Sequence, residues 1–242
     1  QSQCERTQFF CVIDFKLFTA YKQKSFFFVF YYLRFMATLF ITGIGTDVGK
    51  TIVSAIVCEA LNADYWKPVQ TGAEDNPDVV TVQRFITNSK TVCHPSSVSL
   101  RLPASPNIAA QVENTVIQLN DISFPSTSNT LVVEGAGGIL VPINEQQTFA
   151  DFVRLHRLPV IVVVRNYLGC INHTLLTLEY LKAKEIPVLA GIFNGDFSVG
   201  VKETIQAHSV VRWLNIDDTQ MLNPEFIRAE ANKIRPFIAD FR

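Results

Sequence analysis

The run Gly43-Ile44-Gly45-Thr46-Asp47-Val48-Gly49-Lys50-Thr51 follows directly on the apolar residues Leu39-Phe40-Ile41. Residues of these types in this order can hold phosphate. Glycines let the backbone approach an anion with no Cβ in the way, and the N–H groups of a helix start favour its charge. Lys50 can then reach the outer phosphates, and the Thr51 hydroxyl can hold a magnesium ion. Five residues rather than the usual four separate Gly43 from Gly49, and Ile44 occupies the usual first-glycine position. The alternative is a plain glycine-rich turn that ends in Gly-Lys-Thr. The apolar strand before it and the helix-forming segment after it favour the phosphate cradle.

Other polar residues stand where apolar segments end. Lys67, in Tyr65-Trp66-Lys67-Pro68-Val69-Gln70-Thr71-Gly72, reads alone as an exposed cation. Beside a phosphate loop, its ammonium could stabilise charge on a transferring phosphoryl group. Glu134 follows Thr130-Leu131-Val132-Val133 and precedes Gly135-Ala136-Gly137-Gly138. A carboxylate closing a buried strand is costly without a cation, and magnesium beside a nucleotide takes one or two such groups. An exposed Glu in a turn is the alternative. Asp78 reads first as a helix N-cap, and Thr71 and Gly72 as turn residues. The segment Leu168-Gly169-Cys170-Ile171-Asn172-His173 begins a helix, whose free N–H groups could take a small carboxylate or be simply capped. Asn194-Gly195 could read a purine edge or form an ordinary turn. Neither Cys170 nor His173 has a partner that would make it a covalent catalyst.

To bring these residues together, the chain must place them at one end of a sheet. Val/Ile/Leu-rich segments predict strands over 38–42, 65–69, 130–133, 159–164 and 188–193, as for strands buried on both faces of a parallel sheet. Helices are expected over 50–61, 79–87, 148–155, 170–182 and 201–208, and a loop over 120–129. This alternation predicts the α/β class, a three-layer single domain with a mostly parallel sheet of the P-loop NTPase-like kind. Ligands in such sheets sit outside the carboxyl ends of the strands.

The chain has 242 residues, 48% of them apolar, and a formal net charge of −1. That length suits one core, and the charge balance points to neither nucleic acid nor an anionic membrane as a partner. Five cysteines form no Cys-x-x-Cys pair and four histidines show no metal-ligand spacing, which suggests reduced thiols and a cytoplasmic location. Residues 1–35 differ from the rest. Their aromatic patch Phe26-Phe27-Phe28-Val29-Phe30-Tyr31-Tyr32-Leu33 has no helical or strand period, and its uncharged run falls short of the roughly 20 residues that span a bilayer. We expect 1–35 to be a non-native or disordered extension and the functional domain to be 36–242, beginning at Met36.

Taken in order, the phosphate loop, Lys67-Pro68-Val69-Gln70-Thr71-Gly72, Val132-Val133-Glu134-Gly135-Ala136-Gly137-Gly138 and Leu168-Gly169-Cys170-Ile171-Asn172-His173 closely resemble the dethiobiotin synthetase family, from Met36 to about Asn194. The five-residue loop spacing is typical of that family. The resemblance implies a ligase of biotin synthesis that uses ATP, CO2, 7,8-diaminononanoate and Mg2+. One amine would capture CO2 as a carbamate, the carbamate would be phosphorylated by ATP, and the second amine would close the ring. It further implies an ATP-binding set of Gly45, Thr46, Asp47, Val48, Gly49, Lys50, Thr51, Ile52, Asp78, Glu134, Gly135, Ala136, Gly137, Asn194 and Gly195. Lys67 and Lys50 would be catalytic, and Thr51, Asp78 and Glu134 would bind the metal. Thr71, Gly169, Cys170, Ile171 and Asn172 would contact substrate, the last four at the interface of a homodimer. Two features depart from the family. Ile44 stands where Thr is more usual, and no Pro-rich nucleotide loop is evident in Val210-Val211-Arg212-Trp213-Leu214-Asn215. The alternatives on the same fold are a related amidoligase and a partition- or division-type ATPase switch. The switch proteins commonly carry a Lys just after the first loop glycine, where this chain has Ile44, and often an amphipathic tail. Residues 224–242 are only mildly amphipathic, and Pro236 is expected to interrupt them.

Overall fold

In the computed structural model, residues 38–72 and 77–241 are described, so the expectation for residues 1–35 lies outside them. The strands are β1 (Thr38–Gly43), β2 (Asp64–Trp66), β3 (Val69–Gln70), β4 (Cys93–His94), β5 (Val98–Ser99), β6 (Leu131–Gly138), β7 (Val160–Val164), β8 (Val188–Asn194) and β9 (Trp213–Ile216). The α-helices are α1 (Lys50–Leu61), α2 (Asp78–Phe85), α3 (Pro106–Val112), α4 (Phe149–His156), α5 (Cys170–Ala183), α6 (Val201–Ala207) and α7 (Pro224–Ile238). Seven strands form one parallel sheet in the order β4-β2-β6-β1-β7-β8-β9. This is the single α/β domain expected, with a wholly parallel main sheet.

Alternation along the strands assigns the two layers of helix. Ile41 is in register with Glu134 and faces the side packed by α1, which in turn packs on α2 and α7. Phe40 points to the opposite side, where its ring meets Phe149 and Phe152 of α4 at 6.0 and 6.1 Å. On that side Lys202 of α6 lies over the Phe193 ring. Because β1, β6 and β7 are covered on both faces, Leu39, Phe40, Ile41 and the run Val160–Val164 are all buried, which explains their unbroken apolar character.

Several boundaries differ from expectation for identifiable reasons. The segment 65–69 is not one strand: it splits at Lys67-Pro68, since Pro68 has no N–H to continue the ladder, and β3 pairs with β5 in a separate two-stranded sheet. The strand expected to stop at 133 continues through Glu134 to Gly138. Helix α2 ends at Phe85 rather than at 87, because the Glu59 carboxylate accepts from the N–H groups of Thr87 and Asn88 and from both side chains. Thr148 caps α4 instead of belonging to it, in a reciprocal capping box with Asp151. The helix α7 runs through Pro236 to Ile238 without interruption. Pro236 lies in the last turn, where the carbonyl it leaves free belongs to the exposed Asn232, so water can satisfy it. The elements β4, β5, α3, β9 and α7 were not expected. For α7, Asn223 before Pro224 was a legible start signal, since the Asn223 side chain accepts from the Phe226 N–H.

Candidate active site

The glycine run leaves the carboxyl end of β1, the middle strand of the sheet, and enters α1 through Gly49. Gly49 has φ +88°, and a Cβ there would fall 2.1 Å from Asn194 Nδ2. That close approach is used: Asn194 at the end of β8 donates from Nδ2 to the Val48 carbonyl at 2.9 Å. Lys50 Nζ donates to the Gly45 carbonyl at 3.0 Å, and burial lowers the Lys50 pKa. Ile44 turns into the hydrophobic core, so its departure from the family pattern leaves the phosphate-facing side of the loop unchanged.

Register delivers the charged residues. Trp66 pairs with Val133, so the next residues, Lys67 and Glu134, emerge side by side at the strand ends. Neither is exposed: Lys67 is 7% and Glu134 1% accessible, and the plain readings of an exposed cation and a turn carboxylate fall away. Asp78 is the first residue of α2, with Pro77 in the capping position, so the N-cap reading is replaced. Its side chain turns inward instead, while its backbone N–H donates to Gln70 Oε1 at 3.1 Å. Lys67 Nζ bonds Asp78 Oδ2 and lies 3.4 Å from Glu134 Oε1. Burial works against the ammonium, but the two carboxylates outweigh it and hold the Lys67 pKa above its usual value. For Asp78, burial is likewise outweighed by Lys67, and its pKa lies below the usual one.

Thr51 Oγ1 lies 2.6 Å from Asp78 Oδ1 and 2.9 Å from Glu134 Oε1. A hydroxyl has one proton and cannot donate fully to two carboxylates. Two carboxylates and a hydroxyl, converging next to a phosphate loop, match the oxygen donors that magnesium takes alongside phosphates and water. The residues present therefore fit such an ion.

These groups line one cleft of about 700 Å³, which also receives Thr46, Asp47, Gly49, Ile52, Thr71, Ala136 and Gly137. Gly135 instead packs its backbone on the Phe40 ring. Gly195 lies beside Asp218, in the loop after β9, the part of the chain without a recognisable motif. Gly169, Cys170, Ile171 and Asn172 form the first turn of α5 and do not line the cleft; Cys170 is buried and Asn172 exposed. Tyr167, just before that turn, bonds His173 Nδ1 at 2.7 Å. Gln70, Val141 and residues 103–106 also line the cleft, although the sequence alone does not single them out. Only Ser105-Pro106 carried a local signal, as the start of α3.

A family model described as an AAA domain matches residues 37–218. The chain is 42% identical over 197 residues to the ATP-dependent dethiobiotin synthetase BioD of Christiangramia forsetii, covering 81% of this chain and 95% of that one. It is 45% identical over 179 residues to the ATP-dependent dethiobiotin synthetase BioD of Paramagnetospirillum magneticum, covering 74% and 86%. Among solved structures, a plasmid partition protein of Borrelia burgdorferi bound to AMPPNP superposes with a TM-score of 0.53 at 12% identity, over 84% of this chain and 97% of that one. At that identity the likeness speaks to fold alone.

Proposed function

The chain belongs to the ATP-dependent dethiobiotin synthetases, ligases of biotin biosynthesis, and from that premise we propose how its own residues carry out the reaction. The observation that carries the reading is the convergence of Lys67, Thr51, Asp78 and Glu134 on one side of the phosphate loop.

One amine of 7,8-diaminononanoate attacks CO2 and, losing a proton, becomes a carbamate. A carbamate oxygen then attacks the γ-phosphorus of ATP and ADP departs. The second amine attacks the carbamoyl carbon and loses a proton, the C–O bond to phosphate breaks with release of inorganic phosphate, and the ureido ring closes. No protein nucleophile is needed. Backbone N–H groups of residues 46–51 cradle the phosphates, with Lys50 moving from the Gly45 carbonyl to the β/γ region. Thr51, Asp78 and Glu134 would hold Mg2+, which when bound neutralises charge on the phosphates. Lys67, already protonated and buried, is placed to meet the negative charge of carbamate and γ-phosphate together. Asn194, with Nδ2 engaged by Val48, offers Oδ1 to the base, and Gly195 flanks it. Thr71 contacts substrate. The first turn of α5, residues 169–172, takes the substrate carboxylate in a homodimer; its position outside the cleft of a single chain supports a contribution from a second copy. A cytoplasmic setting belongs to the same reading. Among the described residues, no helix is long and apolar enough to cross a membrane.

The test is ADP release by the purified protein with Mg·ATP and bicarbonate, with and without 7,8-diaminononanoate, and detection of dethiobiotin by mass. Diamine-dependent ADP release matched by dethiobiotin is expected. Release that ignores the diamine, or responds to DNA or lipid, would move the reading to an ATPase switch.

A further inference from the structure

Behind the cleft, β2 and β6 share a polar contact out of reach of any substrate. In a parallel pair, residues in register point to the same face, and so does the residue two further on. Tyr65 is in register with Val132, and Glu134 stands two residues beyond it. The Tyr65 ring therefore runs up the sheet beneath the Glu134 carboxylate. Its hydroxyl donates to Glu134 Oε2 at 3.0 Å. Tyr65 is wholly inaccessible, so no water competes with Glu134 Oε2 for its hydroxyl.

The two oxygens of Glu134 thus have separate partners. Oε2 is held from behind by Tyr65, while Oε1 faces Thr51 at 2.9 Å and Lys67 at 3.4 Å. We propose that Tyr65 is a positioning residue that fixes the Glu134 carboxylate with Oε1 toward the divalent cation of the bound nucleotide. The proposal rests on the metal role given to Glu134 above. Without the phenol, Oε2 would be left buried and unpartnered, a costly state. The carboxylate would relieve it by turning, and Oε1 would turn away from Thr51. Groups that orient metal ligands in this way typically matter 10–100-fold for metal affinity.

The experiment compares wild type, Tyr65→Phe and Trp66→Phe. Trp66 is the adjacent buried residue of β2, faces the other side of the sheet and packs on Phe124, so its substitution disturbs the strand without touching Glu134. The affinity of a non-hydrolysable ATP analogue is measured by calorimetry without divalent ions and then through a Mg2+ titration, with Mn2+ binding followed by electron paramagnetic resonance. Tyr65→Phe should leave metal-free nucleotide affinity within about twofold and raise the Mg2+ half-saturation about 10- to 100-fold. Trp66→Phe should lower the melting temperature and leave the Mg2+ requirement in place. An unchanged Mg2+ requirement in Tyr65→Phe, or an equal shift in Trp66→Phe, would overturn the proposal. Should Tyr65→Phe fail to accumulate, Tyr65→Met also lacks the hydroxyl and adapts to the same space. If the wild type makes no dethiobiotin, the proposed reaction fails, yet the Mg2+ titration still decides the role of Tyr65.

Discussion

Asp64 and Glu134 are both carboxylates about 1% exposed, on neighbouring strands of one sheet, yet they are satisfied in opposite ways. Asp64, at the start of β2, is surrounded by fixed donors. The Val92 N–H and Asn129 Nδ2 reach Oδ1 at 2.9 Å each, while Thr127 Oγ1 and His94 Nε2 reach Oδ2 at 2.5 and 3.0 Å. Glu134, near the carboxyl ends of the strands, has one fixed donor in Tyr65. Its other oxygen shares a single hydroxyl and an ammonium with Asp78. The first carboxylate is finished by the protein and ties loops to the base of the sheet. The second is held in place but incompletely matched, so it retains capacity for a cation. Burial of charge alone does not mark a functional site; the difference lies in whether the protein supplies all of the partners.

Substitutions that separate the two regions test this contrast. The largest effect is expected at Lys67. Lys67→Gln should lower turnover about 100-fold or more while Mg·ATP still binds, measured as dethiobiotin formation beside nucleotide affinity; near-normal turnover would remove Lys67 from the chemistry. Next comes Thr51→Val, which should weaken Mg·ATP binding about 10-fold or more with the fold intact. Unchanged affinity in calorimetry would contradict its metal role. At the opposite end of the sheet, Asp64→Asn should cost about 1–3 kcal/mol in denaturant unfolding, as donors lose their acceptor, and leave turnover at low temperature close to normal. A large fall in turnover with little loss of stability would erase the contrast.

The smallest effect is a pH dependence. Burial opposes ionisation of Asp64, but the bonds from Asn129, Thr127, Val92 and His94 outweigh it and keep its pKa below the ordinary 3.8. Because the folded pKa is depressed, its stabilisation is present above about pH 3.8 and is lost as pH falls through the lower folded value. Unfolding free energies measured from neutral to acid pH should therefore converge between wild type and Asp64→Asn below that range. Parallel curves would show that the Asp64 charge contributes nothing.

Much of the fold was legible because buried parallel strands need unbroken apolar runs, and 38–42, 159–164 and 188–193 supply them. The short edge strands β4 and β5 have two residues each and carry no such pattern. At 65–69, Pro68 signalled a break that the apolar run concealed. In the site, the phosphate loop, Lys67 and Glu134 could be singled out because their local sequence is unusual. Asp78 could not, since an Asp after Asn-Pro is ordinary at a helix start; only the family resemblance raised it. Gln70 and Tyr65 have no local signature of their role at all.

By itself, the sequence determined the phosphate cradle, the α/β alternation and the family, because each is written in contiguous residues whose spacing acts through local backbone geometry. Tertiary structure alone decided that Asp78 turns inward to Lys67 and Thr51, that Asn194 clamps the loop across the sheet, and that Tyr65 lies under Glu134. Those contacts join residues 11 to 146 positions apart. Strand order and register bring them together, and no local pattern encodes which strands become neighbours.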